Sequence, residues 1–182
     1  MSELYEEGKV LESNRLILRP MKLSDKVAIF NNICHDKDVI KYYLMGYKET
    51  LDEFDFAKLL NYYKQNKMYY FAVVEKESNN VIGMIHLCNL PSVKTPNVEI
   101  GYAYGKKYWN KGYATEALNT FIEYLKTKEV HRICAGHLKE NIASGKVMQK
   151  CGMEYECTKK EEIFYNNRYY DVCYYYLINP NF

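Results

Sequence analysis

One stretch limits what this chain can fold into more than any other. Val98 to Tyr104 reads as a strand, and a short loop carries it into a strong helical pattern. Ala114, Ala117, Leu118, Phe121, Ile122 and Leu125 recur at i, i+3, i+4, i+7, i+8 and i+11, one apolar stripe on an amphipathic helix. Gly101 inside the strand predicts a bulge or a close backbone approach. The loop into the helix reads Tyr108-Trp109-Asn110-Lys111-Gly112-Tyr113-Ala114-Thr115-Glu116-Ala117. The first turn of a helix carries unpaired N–H groups and a partial positive charge, and phosphate oxygens match both. Gly112 removes a side chain where backbone would meet an anion, Ala114 keeps the next turn small, and Lys111 adds a cation. Taken alone this is a weak signal, because glycine often precedes a helix.

The rest of the chain alternates strands and helices. Arg15 to Pro20 is a strand with Leu16 and Leu18 on one face. Ser24 is expected to cap a helix through about Ile33, and a second helix spans roughly Asp36 to Leu44. Thr50-Leu51-Asp52-Glu53 has the form of a capping box, which predicts a third helix to about Lys64 with Phe54, Ala57, Leu60 and Tyr63 inward. Tyr69 to Glu75 and Val81 to Leu90 are paired strands about the turn Ser78-Asn79-Asn80. A loop bracketed by Pro91 and Pro96 follows. His131 to Leu138 is a further strand, Asn141 caps a helix ending at Gly152, and 154–164 with 168–178 form a hairpin about Asn166-Asn167. Two strand–helix units, 98–125 and 131–151, are expected side by side. The expected fold is α/β (α+β): a mixed, mostly antiparallel central sheet of about seven strands with helices on both faces.

A chain of 182 residues suffices for one sizeable core, so residues 1–182 read as a single domain with a short N-terminal extension, 1–11. A net charge of +2 gives no reason to expect nucleic-acid or membrane partners. No apolar run approaches the roughly 20 residues that cross a bilayer, and Met1 to Lys9 is polar, so a cytoplasmic location is expected. Six cysteines without Cys-x-x-Cys spacing, and four histidines without ligand spacing, predict no metal site. The cysteines are expected to be free, buried thiols.

Three segments in order, Glu99-Ile100-Gly101-Tyr102, Tyr108 to Leu118 and Asn141 to Met153, resemble the GNAT superfamily of N-acetyltransferases. With the opening Asn14-Arg15-Leu16-Ile17-Leu18-Arg19-Pro20, the chain is similar to the branch of ribosomal-protein N-terminal acetyltransferases and their small-molecule relatives. The resemblance covers about residues 12–178. It implies acetyl-CoA as donor and a primary amine as acceptor, with direct attack in a ternary complex. Trp109, Asn110, Lys111, Gly112, Tyr113, Ala114 and Thr115 would form the pyrophosphate loop. Ile100 and Tyr102 would run beside the pantetheine arm like an added strand, and Asn141, Ser144 and Lys146 would complete the cofactor side. Trp109 stands where the family usually has Gln or Arg, and Asn110 where the branch often has Gly. Neither change removes a backbone amide.

Acetyl transfer needs a neutral amine, support for the oxyanion and a proton for the departing thiolate. Glu99, on the strand that would line the thioester, is the candidate base. The family's tyrosine acid would fall at Met148, which cannot donate a proton. The resemblance instead implies Ser144 as the group that contacts the sulfur. An α-amine, with a pKa of about 7.7–8.0, demands less of a base than a lysine amine at about 10.4. The acceptor is thus a protein N-terminus or a small amine, and a homodimer is compatible with either. Residues 36–66, rich in Asp, Glu and Tyr, are the expected acceptor-side lid, and tyrosines such as Tyr69, Tyr70, Tyr169, Tyr170 and Tyr174 to Tyr176 are candidate pocket walls. The rival reading is a catalytically silent acyl-CoA-binding module, which the missing tyrosine at 148 keeps open.

Overall fold

Period-two and period-3.6 patterns alternate along the chain, and the computed structural model has strands and helices in the same order. It describes residues 4–44, 46–90, 92 and 96–182; residues 1–3 of the N-terminal extension, and Pro91 with 93–95 of the proline-bracketed loop, lie outside these. The strands are β1 (Leu11–Glu12), β2 (Leu16–Pro20), β3 (Tyr70–Glu75), β4 (Val81–Leu87), β5 (Asn97–Tyr104), β6 (Arg132–Leu138), β7 (Glu154–Tyr165) and β8 (Arg168–Ile178). They form one sheet in the order β1-β2-β3-β4-β5-β6-β8-β7. Every pair is antiparallel except β5 with β6. The eighth strand beyond the expected seven is the two-residue β1.

Alternation sorts the side chains onto two faces. Helices α4 (Tyr113–Leu125) and α5 (Ile142–Lys150) cover one, where Leu118, Phe121, Ile122 and Met148 pack against Ile85, Leu87 and Ile100. Helices α1 (Lys26–Ile29), α2 (Lys37–Tyr43) and α3 (Phe56–Gln65) cover the other, where Ile29, Ile33 and Phe56 pack against Tyr70, Met84 and Ala103. Phe121 is wholly buried, so truncation to Ala would cost about 3–5 kcal/mol.

Three local expectations change. The third helix starts at Phe56, capped by Asp55, whose carboxylate accepts from the Lys58 amide at 3.1 Å. Phe54 and Phe56 are both buried, with ring centroids 5.1 Å apart, and an i, i+2 pair reaches one core only from extended backbone. The inward face is therefore Phe56, Leu59, Leu60 and Tyr63, and Ala57 is exposed. Ser24 lies inside a 3-10 turn rather than at a cap. Asp25 takes the polar role there, accepting from Arg19 Nη1, Arg19 Nη2 and the Lys22 amide, each at 2.8 Å. From Phe30 the helix widens to a π turn through Cys34, and Asn32 Nδ2 donates to the Val81 carbonyl. Third, β4 ends at Leu87, because Cys88 to Leu90 are exposed.

The hairpin turn matches its sequence: Asn166 and Asn167 both have positive φ, 49° and 56°, as a two-residue turn of the primed type requires. All six cysteines are free, but only Cys34 and Cys151 are buried. The others sit on the ends or open faces of strands, where an apolar run does not guarantee cover.

Candidate active site

The β5–β6 ladder runs from Asn97↔Arg132 to Ile100↔Ala135 and then stops, although both strands continue. Past that point they part, at their carboxyl ends. The peptide groups of Glu99 and Gly101 belong to the β4 ladder, since the Cys88 amide donates to the Glu99 carbonyl at 2.7 Å and Gly101 pairs with His86. Those of Ile100 and Tyr102 therefore point toward β6 by alternation. Beyond Ile100 this edge faces a gap. Gly101 marks a close approach rather than a bulge: register is unbroken, and a Cβ there would lie 2.7 Å from the His86 ring.

The loop into α4 leaves from the same end. Gly112, the N-cap, has φ +80° and ψ 0°, and Asn110 has φ +59°. Glycine adopts this left-handed backbone without cost, and Asn tolerates it better than most residues. Among the described residues, the amides of 110–115 meet no protein acceptor. The Trp109 indole is turned inward, donating to the Tyr104 carbonyl at 2.8 Å. Lys111 is exposed at the loop. Donors, curvature and charge together fit a pyrophosphate.

Arg15 fastens this loop to β2, a role that sequence reasoning missed. Its Nη1 donates to the Lys111 carbonyl at 3.0 Å, and its Nε and Nη2 both meet Glu116 Oε2 at 2.7 Å. Glu116 also accepts from Ser13 Oγ at 2.7 Å and the Arg15 amide at 2.8 Å. The guanidinium covers the Tyr113 ring at 4.5 Å, and the Tyr113 hydroxyl donates to Glu75. The partners of Ser13 and Arg15 in this network lie 96 to 103 residues away in sequence, and no local pattern links them.

Across the gap, Asn141 caps α5 by accepting from the Ser144 amide at 3.4 Å. Lys146 is exposed on the same helix. The Tyr102 hydroxyl meets Ser144 Oγ at 2.8 Å and donates to the Ser144 carbonyl at 3.2 Å. Burial holds the Tyr102 phenol protonated, pushing its pKa well up. The Met148 side chain is fully buried in the core beneath α4 and α5. So Tyr102, placed on the strand as a cofactor neighbour, brings a hydroxyl to the serine from the other wall.

Glu99 projects from the opposite face, the side of α1–α3. Burial raises its pKa first of all; Lys159 lowers it and Glu162 raises it. A buried carboxylate with a raised pKa is a stronger base than one in water. Beside it, His86 accepts or donates at both nitrogens, with Tyr43 Oη at 2.7 Å on Nε2 and Tyr63 Oη at 2.9 Å on Nδ1. Burial pulls its pKa from 6.5 down to about 4. The unfolded chain therefore binds the proton first as pH falls, and this stability is complete above about pH 6.5 and lost toward pH 4. Urea unfolding is expected to show about 2 kcal/mol less stability at pH 5 than at pH 7 from this group, a difference that His86→Gln removes.

Among the described residues, no three His, Cys, Asp or Glu side chains converge as metal ligands, and no helix is long and apolar enough to cross a membrane.

A family model described as an acetyltransferase (GNAT) domain matches residues 15–154. The chain belongs to the GNAT acetyltransferase family. It is an acyltransferase of the amino-group type. It is 31% identical over 169 residues to the uncharacterized N-acetyltransferase YnaD of Bacillus subtilis, covering 92% of this chain and 96% of that one. It is 28% identical over 111 residues to the ribosomal protein uS5 alanine N-acetyltransferase of Escherichia coli, covering 60% and 57%. The crystal structure of a spermidine N-acetyltransferase from Vibrio cholerae, in complex with CoA and spermine, superposes with a TM-score of 0.79. That match has 24% identity and covers 93% of this chain and 98% of the other.

Proposed function

We propose that this acetyltransferase moves acetyl from acetyl-CoA to a primary amine by direct attack in a ternary complex. The observation that carries it is spatial: the amide-rich start of α4 and the gap between β5 and β6 open at the same end of the sheet. A pyrophosphate on the amides of 110–115 would send the pantetheine arm along Ile100 and Tyr102. Trp109 shapes the loop from beneath, Tyr113, Ala114 and Thr115 form the first helical turn, and Lys111 and Lys146 offer cations to phosphate. Asn141 holds the far wall.

Glu99 takes the proton of the attacking amine. As the new C–N bond forms and the C–S bond breaks, CoA leaves as a thiolate with Ser144 Oγ–H hydrogen-bonded to its sulfur, and the Tyr102 hydroxyl holds that serine in place. Water then protonates the thiolate, and Glu99 gives up to water the proton it took from the amine. The named relatives act on an alanine of a ribosomal protein and on spermidine. What those acceptors share is a primary amino group, and that is the acceptor class assigned here.

Thiol release from acetyl-CoA, measured against polyamines, amino acids and peptides with free N-termini, tests the reading. Amine-dependent release is expected. Tight acetyl-CoA binding with no release for any amine would instead identify a silent binding module.

A further inference from the structure

The face of the sheet that carries Glu99 has an asymmetric cover. Helices α1–α3 pack over β2–β5, whereas the core they form takes no residue from β6 or β8. The β5–β6 gap therefore lies at the margin of the helical layer on this face.

Two glycines flank that gap, Gly101 on β5 and Gly136 on β6, and each lies beneath a ring from the strand outside it. A Cβ on Gly101 would lie 2.7 Å from His86 Cε1 and Nε2, so the imidazole leans from β4 over β5. A Cβ on Gly136 would lie 3.0 Å from Tyr174 Cε1 and 3.2 Å from Cδ1, so the phenol leans from β8 over β6. Because β5 and β6 are neighbours, both rings lean toward the same opening. Glu99 stands two residues before Gly101 on this face, paired with Cys134.

The two rings are held differently. His86 is fixed by Tyr43 from α2 and Tyr63 from α3. Among the described residues, the Tyr174 hydroxyl has one long polar contact, 3.5 Å to Glu162 Oε1, and Lys159 Nζ lies 4.7 Å from its ring centre. One wall is rigid and the other is placed by the lack of a side chain at Gly136.

Building on the proposed amine acetylation, we propose that Tyr174 is a specificity-determining wall of the acceptor slot, opposite His86, and excludes bulk beside the reacting nitrogen. Its ring, rather than its hydroxyl, does this. The amine nitrogen passes between imidazole and phenol to reach Glu99, so a branch on its carbon meets a ring on one side or the other.

The test uses acetyl-CoA with a matched pair of alkylamines, one unbranched and one branched at the nitrogen-bearing carbon. The wild-type chain is expected to favour the unbranched amine by about tenfold in kcat/KM, the usual scale for a methyl group against a pocket wall. Tyr174→Ala is expected to bring the ratio within about threefold, and Tyr174→Phe to keep it. Gly136→Ala pushes the ring into the slot and is expected to raise KM for both amines several-fold. Acetyl-CoA affinity, titrated separately, should stay within about twofold in all three variants, which also shows that each is folded. An unchanged ratio in Tyr174→Ala, or unchanged amine KM in Gly136→Ala, overturns the wall while leaving the acetyltransferase reading intact. Absence of thiol release with either amine in the wild-type chain that still binds acetyl-CoA overturns both.

Discussion

Gly112→Asp is expected to weaken acetyl-CoA binding about 100-fold or more while the chain stays folded. Gly112 caps α4 at φ +80°, where the amides of 110–115 gather without a protein acceptor among the described residues. An Asp there costs about 1 kcal/mol for its left-handed backbone, too little to unfold a domain of this size. A Cβ there would lie 3.4 Å from Arg15 Nη2, so the carboxylate would add a negative charge to the loop and disturb the arginine that fastens it, beside the amides expected to hold pyrophosphate. A 100-fold loss corresponds to about 2.7 kcal/mol, within reach of one repulsive charge replacing an attractive field. Gly112→Asn carries the same backbone strain and nearly the same bulk without the charge, so it should lose far less. Titration calorimetry on the three chains separates the effects. Equal losses for Asp and Asn would assign the role of Gly112 to conformation alone.

Glu99→Gln is expected to lower kcat/KM for the amine about 100-fold at pH 7, the lower range for removing a general base. Acetyl-CoA affinity should hold, because Glu99 projects away from α4 and α5. Glu99 must be ionised to accept a proton, and burial raises its pKa, so the wild-type rate falls on the acid side of that pKa. The variant loses this acid limb and follows the neutral amine alone, rising with pH until the amine itself is deprotonated. The deficit should be larger for a lysine-like amine than for an α-amine, which is more often neutral. A variant with the wild-type acid limb intact would move the base role to another group.

The parts of the fold visible in the sequence were those with strong periodicity. The stripe from Ala114 to Leu125 located α4 to within a residue, and Asn166-Asn167 located the β7–β8 turn. Local signals failed where two of them competed. Thr50-Leu51-Asp52-Glu53 starts a helix only as the 3-10 turn Leu51–Glu53, because burying both Phe54 and Phe56 needs extended chain, and Asp55 caps the long helix instead. Ser24 was passed over because Arg19 and Lys22 draw Asp25 into the polar role. The site divides in the same way. The backbone of the candidate phosphate loop, with its turn at Gly112 and helix start at Tyr113, was legible because it lies in one contiguous segment. The Arg15–Glu116 fastening and the Tyr102–Ser144 couple were not, because each joins residues brought together only by tertiary packing. Position 148 carries no hydroxyl, and the hydroxyl nearest Ser144 Oγ comes instead from Tyr102 on β5, at 2.8 Å.

The most direct test of the account is an initial-rate grid varying acetyl-CoA and a productive amine together. Direct attack within a ternary complex predicts double-reciprocal lines that intersect, with CoA release strictly dependent on the amine. Parallel lines, with CoA released before any amine is added, would mean a covalent acetyl-enzyme and would contradict the roles given to Glu99, Ser144 and Tyr102.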